Sequence, residues 1–200
     1  MNGLHAALLV VDAQADFFPG GALPVPKGDT ILPALNAYVR MFADANCPVI
    51  ASRDWHPPET THFEKHGGAW PVHCVQGTPG AGFHEELQFP DDVIVVSKGM
   101  GADEDAYSAF QARDGQGTML AELLSAKGVE RLYVCGLALD YCVKASAIDA
   151  VEQGLETVVL IDATRAVNVS VHDGEDAVEE LVRAGIGLAV LEQVRAALSA

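Results

Sequence analysis

No stretch of this sequence is long and apolar enough to span a bilayer, which takes about 20 residues in a helix. The opening segment, Met1 to Phe17, has no basic start, and Asp12 interrupts its apolar run, so no secretory leader is read. No Gly-x-Gly-x-x-Gly and no phosphate loop follows the first apolar run, which argues against a nucleotide-binding domain. Basic residues are scarce. Twelve Lys and Arg stand against 28 Asp and Glu, and the net charge of −16 repels both nucleic acid and anionic membrane surfaces. Cysteine is sparse too: Cys47, Cys74, Cys135 and Cys142 form no Cys-x-x-Cys pair. A 200-residue chain needs no disulfide staples, so reduced thiols in a cytoplasmic protein are expected. Internal repeats and low-complexity linkers are also missing, and one domain over residues 1–200 is the simplest reading.

What is present is a rhythm of short Val-, Ile- and Leu-rich runs: Ala6–Val11, Pro48–Ser52, Val93–Ser97, Arg131–Cys135, Thr157–Ile161 and Ile186–Leu191. Their apolar and polar residues do not alternate, so both faces are expected to be buried, as in a parallel sheet covered by helices. Helical stripes fall between them. Ile31, Leu35, Val39 and Phe42 form one; Leu120, Leu123 and Leu124 a second; Val143, Ala147, Ala150 and Val151 a third; and Val178, Leu181 and Val182, behind a cap at Asp173, a fourth. The alternation predicts a three-layer α/β/α fold with a central, mostly parallel sheet.

Two stretches break the rhythm, about 54–92 and 99–117. Long loops in compact domains are usually functional or disordered. Five of the seven histidines lie in the first, which favours function. In open α/β sheets ligands bind at the carboxyl ends of strands, where Asp12, Asp54, Lys98, Asp162 and the Gly136–Cys142 turn are expected. Asp54 and His56, at i and i+2 on an extended segment, point to one side, and His62 and His73 follow in the same loop. One carboxylate with two or three imidazoles suits a divalent ion: zinc first, with manganese or iron as alternatives. His66 and His84 lack such spacing and read as surface residues. Cys74 is either a further metal-side residue or a bystander.

Cys142 falls where a strand breaks into a turn and restarts as a helix. A helix N-terminus and a nearby cation both favour the thiolate. An ordinary thiol, with a pKa of about 8.5, is only a few per cent ionised at neutral pH, so partners matter. Asp12 and Lys98, each ending an apolar run, are the candidates for base and cation. Taken singly, each of the three also has a plain structural reading: core packing, a turn cap, a solvated charge. Cys135, in mid-strand, reads as structural.

Four stretches then carry a resemblance: Asp12-Ala13-Gln14-Ala15-Asp16-Phe17; Asp54-Trp55-His56 through Trp70-Pro71-Val72-His73-Cys74-Val75; Lys98-Gly99; and Gly136-Leu137-Ala138-Leu139-Asp140-Tyr141-Cys142-Val143-Lys144. In order and over nearly the whole chain, from about Ala6 to Leu191, they resemble the nicotinamidases of the isochorismatase-like cysteine hydrolase family. The resemblance implies a triad of Asp12, Lys98 and Cys142, a metal held by Asp54, His56 and His73, with His62 as a ligand in some members, and a ring pocket bearing Phe17 and Trp70. It also implies a cis peptide at Leu137–Ala138 and, more weakly, Tyr107 as a pocket residue. The backbone N–H groups of Ala138 and Cys142 are the expected oxyanion donors. Ala15, where Asn is frequent, and Tyr141, where His is frequent, are departures. The implied reaction is hydrolysis of nicotinamide to nicotinate and ammonia in pyridine nucleotide salvage. The expected partner is a small aromatic amide, and homo-oligomerisation is left open. The rivals are a carbamoyl or ureido amidase of the same family and a metal-hydroxide hydrolase with a structural cysteine.

Overall fold

The computed structural model describes residues 5–198, so the first four residues of the Met1–Phe17 segment lie outside the described part. Six strands, β1 (Ala6–Val11), β2 (Val49–Asp54), β3 (Ile94–Lys98), β4 (Arg131–Leu137), β5 (Glu156–Arg165) and β6 (Gly187–Ala189), form one sheet in the order β3-β2-β1-β4-β5-β6. Every pairing is parallel. Five helices cover it: α1 (Leu32–Asp44), α2 (Leu120–Ala126), α3 (Lys144–Glu152), α4 (Asp173–Arg183) and α5 (Leu191–Leu198).

The continuous apolar runs are explained by the two cores. Along β1, Ala6, Leu8 and Val10 face the core that contains α1 and Val194 of α5. Ala7, Leu9 and Val11 face the core that contains residues of α2, α3 and α4. Because side chains alternate sides, a strand buried on both faces has no polar position to spare. Each fully buried Leu or Val here stabilises the fold by on the order of 2 kcal/mol. The order of strands reverses between β1 and β4, and at this switch point the loops leaving two adjacent strands diverge to open a crevice. Asp12 follows β1 and the Gly136–Cys142 turn closes β4, so both expected groups flank the crevice. Gly136 is required there: with φ +106° a Cβ would lie 2.0 Å from the Val11 carbonyl oxygen.

Several expectations are corrected. β5 runs on to Arg165, which leaves Asp162 in mid-strand and not at an end; its carboxylate accepts from the Tyr38 hydroxyl (2.8 Å) and the Leu191 amide (3.0 Å). Asp173 is the first residue of α4 and not its cap, and its carboxylate accepts from the Ser170 amide at 2.7 Å. Leu191 begins α5 instead of ending a strand. The helix bearing Cys142 starts as a π-turn, Leu139–Val143, before α3. Among the described residues no helix is long and apolar enough to cross a membrane.

Candidate active site

Four strand ends converge. Asp12 leaves β1 with φ +44°, a left-handed conformation unfavourable for a residue with a Cβ, and its Oδ1 accepts from Ser52 Oγ of β2 at 2.7 Å. Lys98 ends β3 and is buried. Its Nζ lies 2.9 Å from Asp12 Oδ2, donates to Asp54 Oδ1 and to the Ala106 carbonyl (3.0 Å), and reaches Cys142 Sγ at 3.5 Å. Asp12, Asp54 and Cys142 place one potential ligand atom each within 4.8 Å of one another, but the lysine ammonium already stands among them, ion-paired to Asp12 and donating to Asp54 and Cys142. That group therefore reads as a charge cluster around an ammonium.

Electrostatics inside the cluster differ from the sequence-based expectation for the thiol. Burial would lower Lys98, but the Asp12 and Asp54 carboxylates outweigh it and hold the amine charged. Burial pushes Asp12 up, against the pull of Lys98. For Asp54 burial also pushes up, yet Lys98 and His56 prevail and keep it below the usual carboxylate range. Burial raises Cys142, and the two carboxylates add to that, so one lysine does not suffice to make it a resting thiolate. The thiol is protonated at rest, with the Asp12 carboxylate beside it.

Three imidazoles stand on the other side of Asp54. One nitrogen each of His56, His62 and His73 lies within 4.8 Å of the others. Each Nδ1 is tied back: His56 to the Gly99 carbonyl (3.1 Å), His62 to the Asp105 carboxylate, His73 to the Pro71 carbonyl (2.8 Å). Fixing Nδ1 as the donor leaves Nε2 as the lone-pair nitrogen, the usual arrangement behind metal-binding histidines. His56 Nε2 is buried without a hydrogen-bond partner, and Asp54 Oδ2 lies 3.8 Å from it and 4.0 Å from His73 Nε2. A buried orphan nitrogen among two more imidazoles and a carboxylate fits a divalent cation. Gly99 serves the same cluster: φ is +63°, and a Cβ would sit 2.5 Å from His56 Cε1. Cys74 stays outside this group; it is buried at φ +44°, with its amide donating to Asp16 Oδ2 at 2.7 Å.

Burial drives His73 down to about 4, so it is neutral at pH 7 and available as a ligand. Metal-free protein should therefore lose stability on acidification. Below pH 6.5 the unfolded chain binds a proton at this position that the folded chain refuses until about pH 4. The difference reaches about 3 kcal/mol by pH 4. Urea midpoints at pH 7.5 and pH 4 should fall further for the unsubstituted protein than for His73→Asn; equal falls would remove His73 as the cause.

Between cluster and solvent lies a pocket lined mainly by apolar and aromatic side chains. Cys142 lines it, 8% exposed, with Asp54, His62 and His73 on one side. Phe17, Trp70, Tyr107 and Tyr141 give aromatic walls, and Leu23, Val25 and Val167 an aliphatic one. Trp70 Nε1 donates to the Tyr107 hydroxyl at 2.8 Å and the Trp70 ring meets Tyr141 edge-on at 5.0 Å, joining the two long loops to the π-turn. Ala138 also lines the pocket and follows the cis peptide Leu137–Ala138. Its carbonyl accepts from Tyr141 and Val143, the amides on either side of Cys142.

Every residue expected at the site is thus present there, Asp162 excepted. His66 is exposed, whereas His84 is half-buried with its ring 4.4 Å from Phe18. The sequence reading assigned no role to Gln14, Asp16, Asp105, Tyr141 or Asp140. Gln14 is buried and reads both backbone groups of Asp54: Nε2 donates to the carbonyl and Oε1 accepts from the amide, each at 2.7 Å. Asp16 ties the Ala22 amide to that of Cys74 and packs where Gly80 has no Cβ. Their partners are backbone groups distant in sequence, which no residue pattern reports.

The Isochorismatase domain family matches residues 6–186. The nicotinamidase/pyrazinamidase of Mycobacterium tuberculosis is 40% identical over 185 residues, covering 91% of this chain and 97% of that protein. The crystal structure of a pyrazinamidase of Pyrococcus horikoshii in complex with zinc is 45% identical, with a TM-score of 0.87 over 94% of this chain and 99% of that one. PnC1 of L. infantum in complex with nicotinate is 36% identical, with a TM-score of 0.81 over 95% and 94% of the two chains.

Proposed function

The chain belongs to the isochorismatase family, and from that premise we propose that it is a cysteine amidase that hydrolyses nicotinamide to nicotinate and ammonia. It is a hydrolase acting on an amide, in keeping with curated nicotinamidases 33–40% identical over most of its length. The observation that carries the substrate is the pocket, lined by the Cys142 thiol, by the imidazoles of His62 and His73 and by four aromatic rings, a composition suited to a flat heteroaromatic amide. The extent of the family match supports one domain, with the metal-binding loop at about 54–92 as an insertion.

In the reaction we infer, Asp12 takes the Cys142 proton as sulfur attacks the amide carbon, and Lys98 balances the charge left on sulfur. The amides of Ala138 and Cys142 donate to the oxygen of the tetrahedral adduct. Asp12 returns the proton to nitrogen, the C–N bond breaks and ammonia leaves a thioester. A water deprotonated by Asp12 attacks that thioester, nicotinate departs and the thiol is restored. A resting thiol beside a raised carboxylate suits this sequence, because proton transfer accompanies attack. Asp54, His56, His62 and His73 would hold a divalent ion, zinc by the donor set. When bound, the ion supplies Lewis-acid attraction for the ring nitrogen or for a water beside it. Phe17 and Trp70 would hold the ring faces, with Tyr107 bracing Trp70.

Ammonia release from a panel of nicotinamide, pyrazinamide and an N-carbamoyl amine tests the reading, with the aromatic amides expected to be strongly preferred. Preference for the carbamoyl substrate would support the rival amidase instead. Chelation should lower nicotinamide turnover by about tenfold or more, and zinc should restore it. Unchanged turnover in metal-free protein would remove the ion from the site's function.

A further inference from the structure

The reaction above leaves one buried carboxylate of the nucleophile's turn unused. Asp140, two residues before Cys142, is 7% exposed. Its side chain makes no cap for its own turn. Instead Oδ1 accepts from the Val167 amide and Oδ2 from the Asn168 amide, each at 2.9 Å, 27 and 28 residues away in sequence. Two charge-assisted bonds to successive amides fix both the position and the orientation of that backbone.

Beyond these bonds the segment is tied to the start of α4, where the Asp173 carboxylate accepts from the Ser170 amide at 2.7 Å. Val169 and Val171 are 69% and 83% exposed. Asn168 adopts φ +54°, and its side chain accepts from the Gly174 amide at 2.8 Å, which turns the chain into α4. Among Val167, Val169 and Val171, only Val167 packs against the buried core and lines the pocket. With Leu23 and Val25 it makes up the aliphatic part of the pocket lining. A branched side chain on a backbone pinned to the nucleophile's own turn cannot drift from the thiol, so it limits how far a substrate ring may extend on that edge.

We infer that Val167 is a specificity-determining residue that restricts the substrate to aromatic amides unsubstituted on the ring edge facing it, and that Asp140 is the positioning residue that holds it there. This rests on the amidase reading and narrows its substrate class. A side chain set by a buried carboxylate discriminates through steric exclusion, where one methyl group is worth about 10–200-fold.

The test is steady-state ammonia release by the metal-loaded full chain, with nicotinamide and ring-methylated nicotinamides as substrates. Val167→Ala should raise kcat/KM for at least one methylated amide by about tenfold or more relative to nicotinamide. Asp140→Asn keeps the shape but turns an NH2 toward a backbone N–H. It should shift selectivity the same way, through KM, with kcat for nicotinamide within about threefold. The double variant should be no less selective for nicotinamide than Val167→Ala alone, since both act on one wall. The inference is overturned if Val167→Ala changes all the amides in proportion, or if the two effects on selectivity simply multiply. Should Asp140→Asn not fold, Val167→Ala alone still decides the wall. Failure of the amidase reading looks different and sinks both: the unsubstituted protein would release no ammonia from nicotinamide before any variant is compared.

Discussion

Cys142→Ala is expected to reduce ammonia release from nicotinamide by about four orders of magnitude or more, with metal content and fold unchanged. Removing the nucleophile from a unit of interdependent groups costs about as much as removing the unit, which sets the scale. The cysteine touches the ammonium of Lys98 at 3.5 Å and faces the pocket, so its sulfur is where an amide carbon must arrive. Alkylation of the unsubstituted enzyme should reach the same endpoint, slowly at neutral pH and faster as pH rises, because burial and two carboxylates hold the thiol in its protonated form. A metal-hydroxide hydrolase behaves otherwise: full activity after stoichiometric alkylation, with metal retained, would assign attack to bound hydroxide and leave Cys142 a packing residue.

Lys98→Met is expected to be damaging twice over. Lys98 is 1% exposed and lies between two buried carboxylates, so its loss leaves Asp12 and Asp54 facing each other without a cation. Breaking a buried ion pair by removing one partner costs about 3–5 kcal/mol, equivalent to a fall in Tm of roughly 6–20 °C for a chain of this size. Activity should fall by about two orders of magnitude or more, since nothing then balances charge on sulfur. Calorimetry and turnover check the two effects separately. The stabilisation has a pH signature. The amine's folded pKa is raised, so its contribution is complete below the ordinary value of 10.5 and fades only as pH climbs through the raised one. A Lys98→Met protein as stable as its parent at neutral pH would mean the carboxylates find other compensation.

The strands were the most legible part of the chain. β1 matches its apolar run because every position in it is buried, and β2 and β3 start one residue later than theirs and run on to the polar Asp54 and Lys98. β5 reads short because Asp162, Thr164 and Arg165 are polar, yet the strand continues past a register shift after Val134 to pair with Gly136 and Leu137. α5 escaped because Leu191 completes an apolar run that in the fold breaks between Ala189 and Leu191. At the site, residues whose own chemistry is distinctive were readable: histidines crowded into one loop, an aspartate and a lysine ending apolar runs, a cysteine at a turn. The thiol's ionisation was not readable. It depends on how two carboxylates and one ammonium share a dry space, and that is a matter of distances. Gln14, Asp16 and Asp140 were illegible for a related reason, because each acts on backbone amides or carbonyls that any residue could supply.

Asp54 divides its two oxygens, one toward the ammonium of Lys98 and the other toward the imidazoles of His56 and His73. Genetically, that makes it a position without separable alleles. A substitution at His73 can weaken the ion's seat alone, and one at Asp12 can silence the thiol alone, but any change at Asp54 disturbs both. A saturation screen scored separately for metal retention and for the rate of Cys142 alkylation should therefore find variants altered in one readout at His73 and at Asp12, and at Asp54 only variants altered in both.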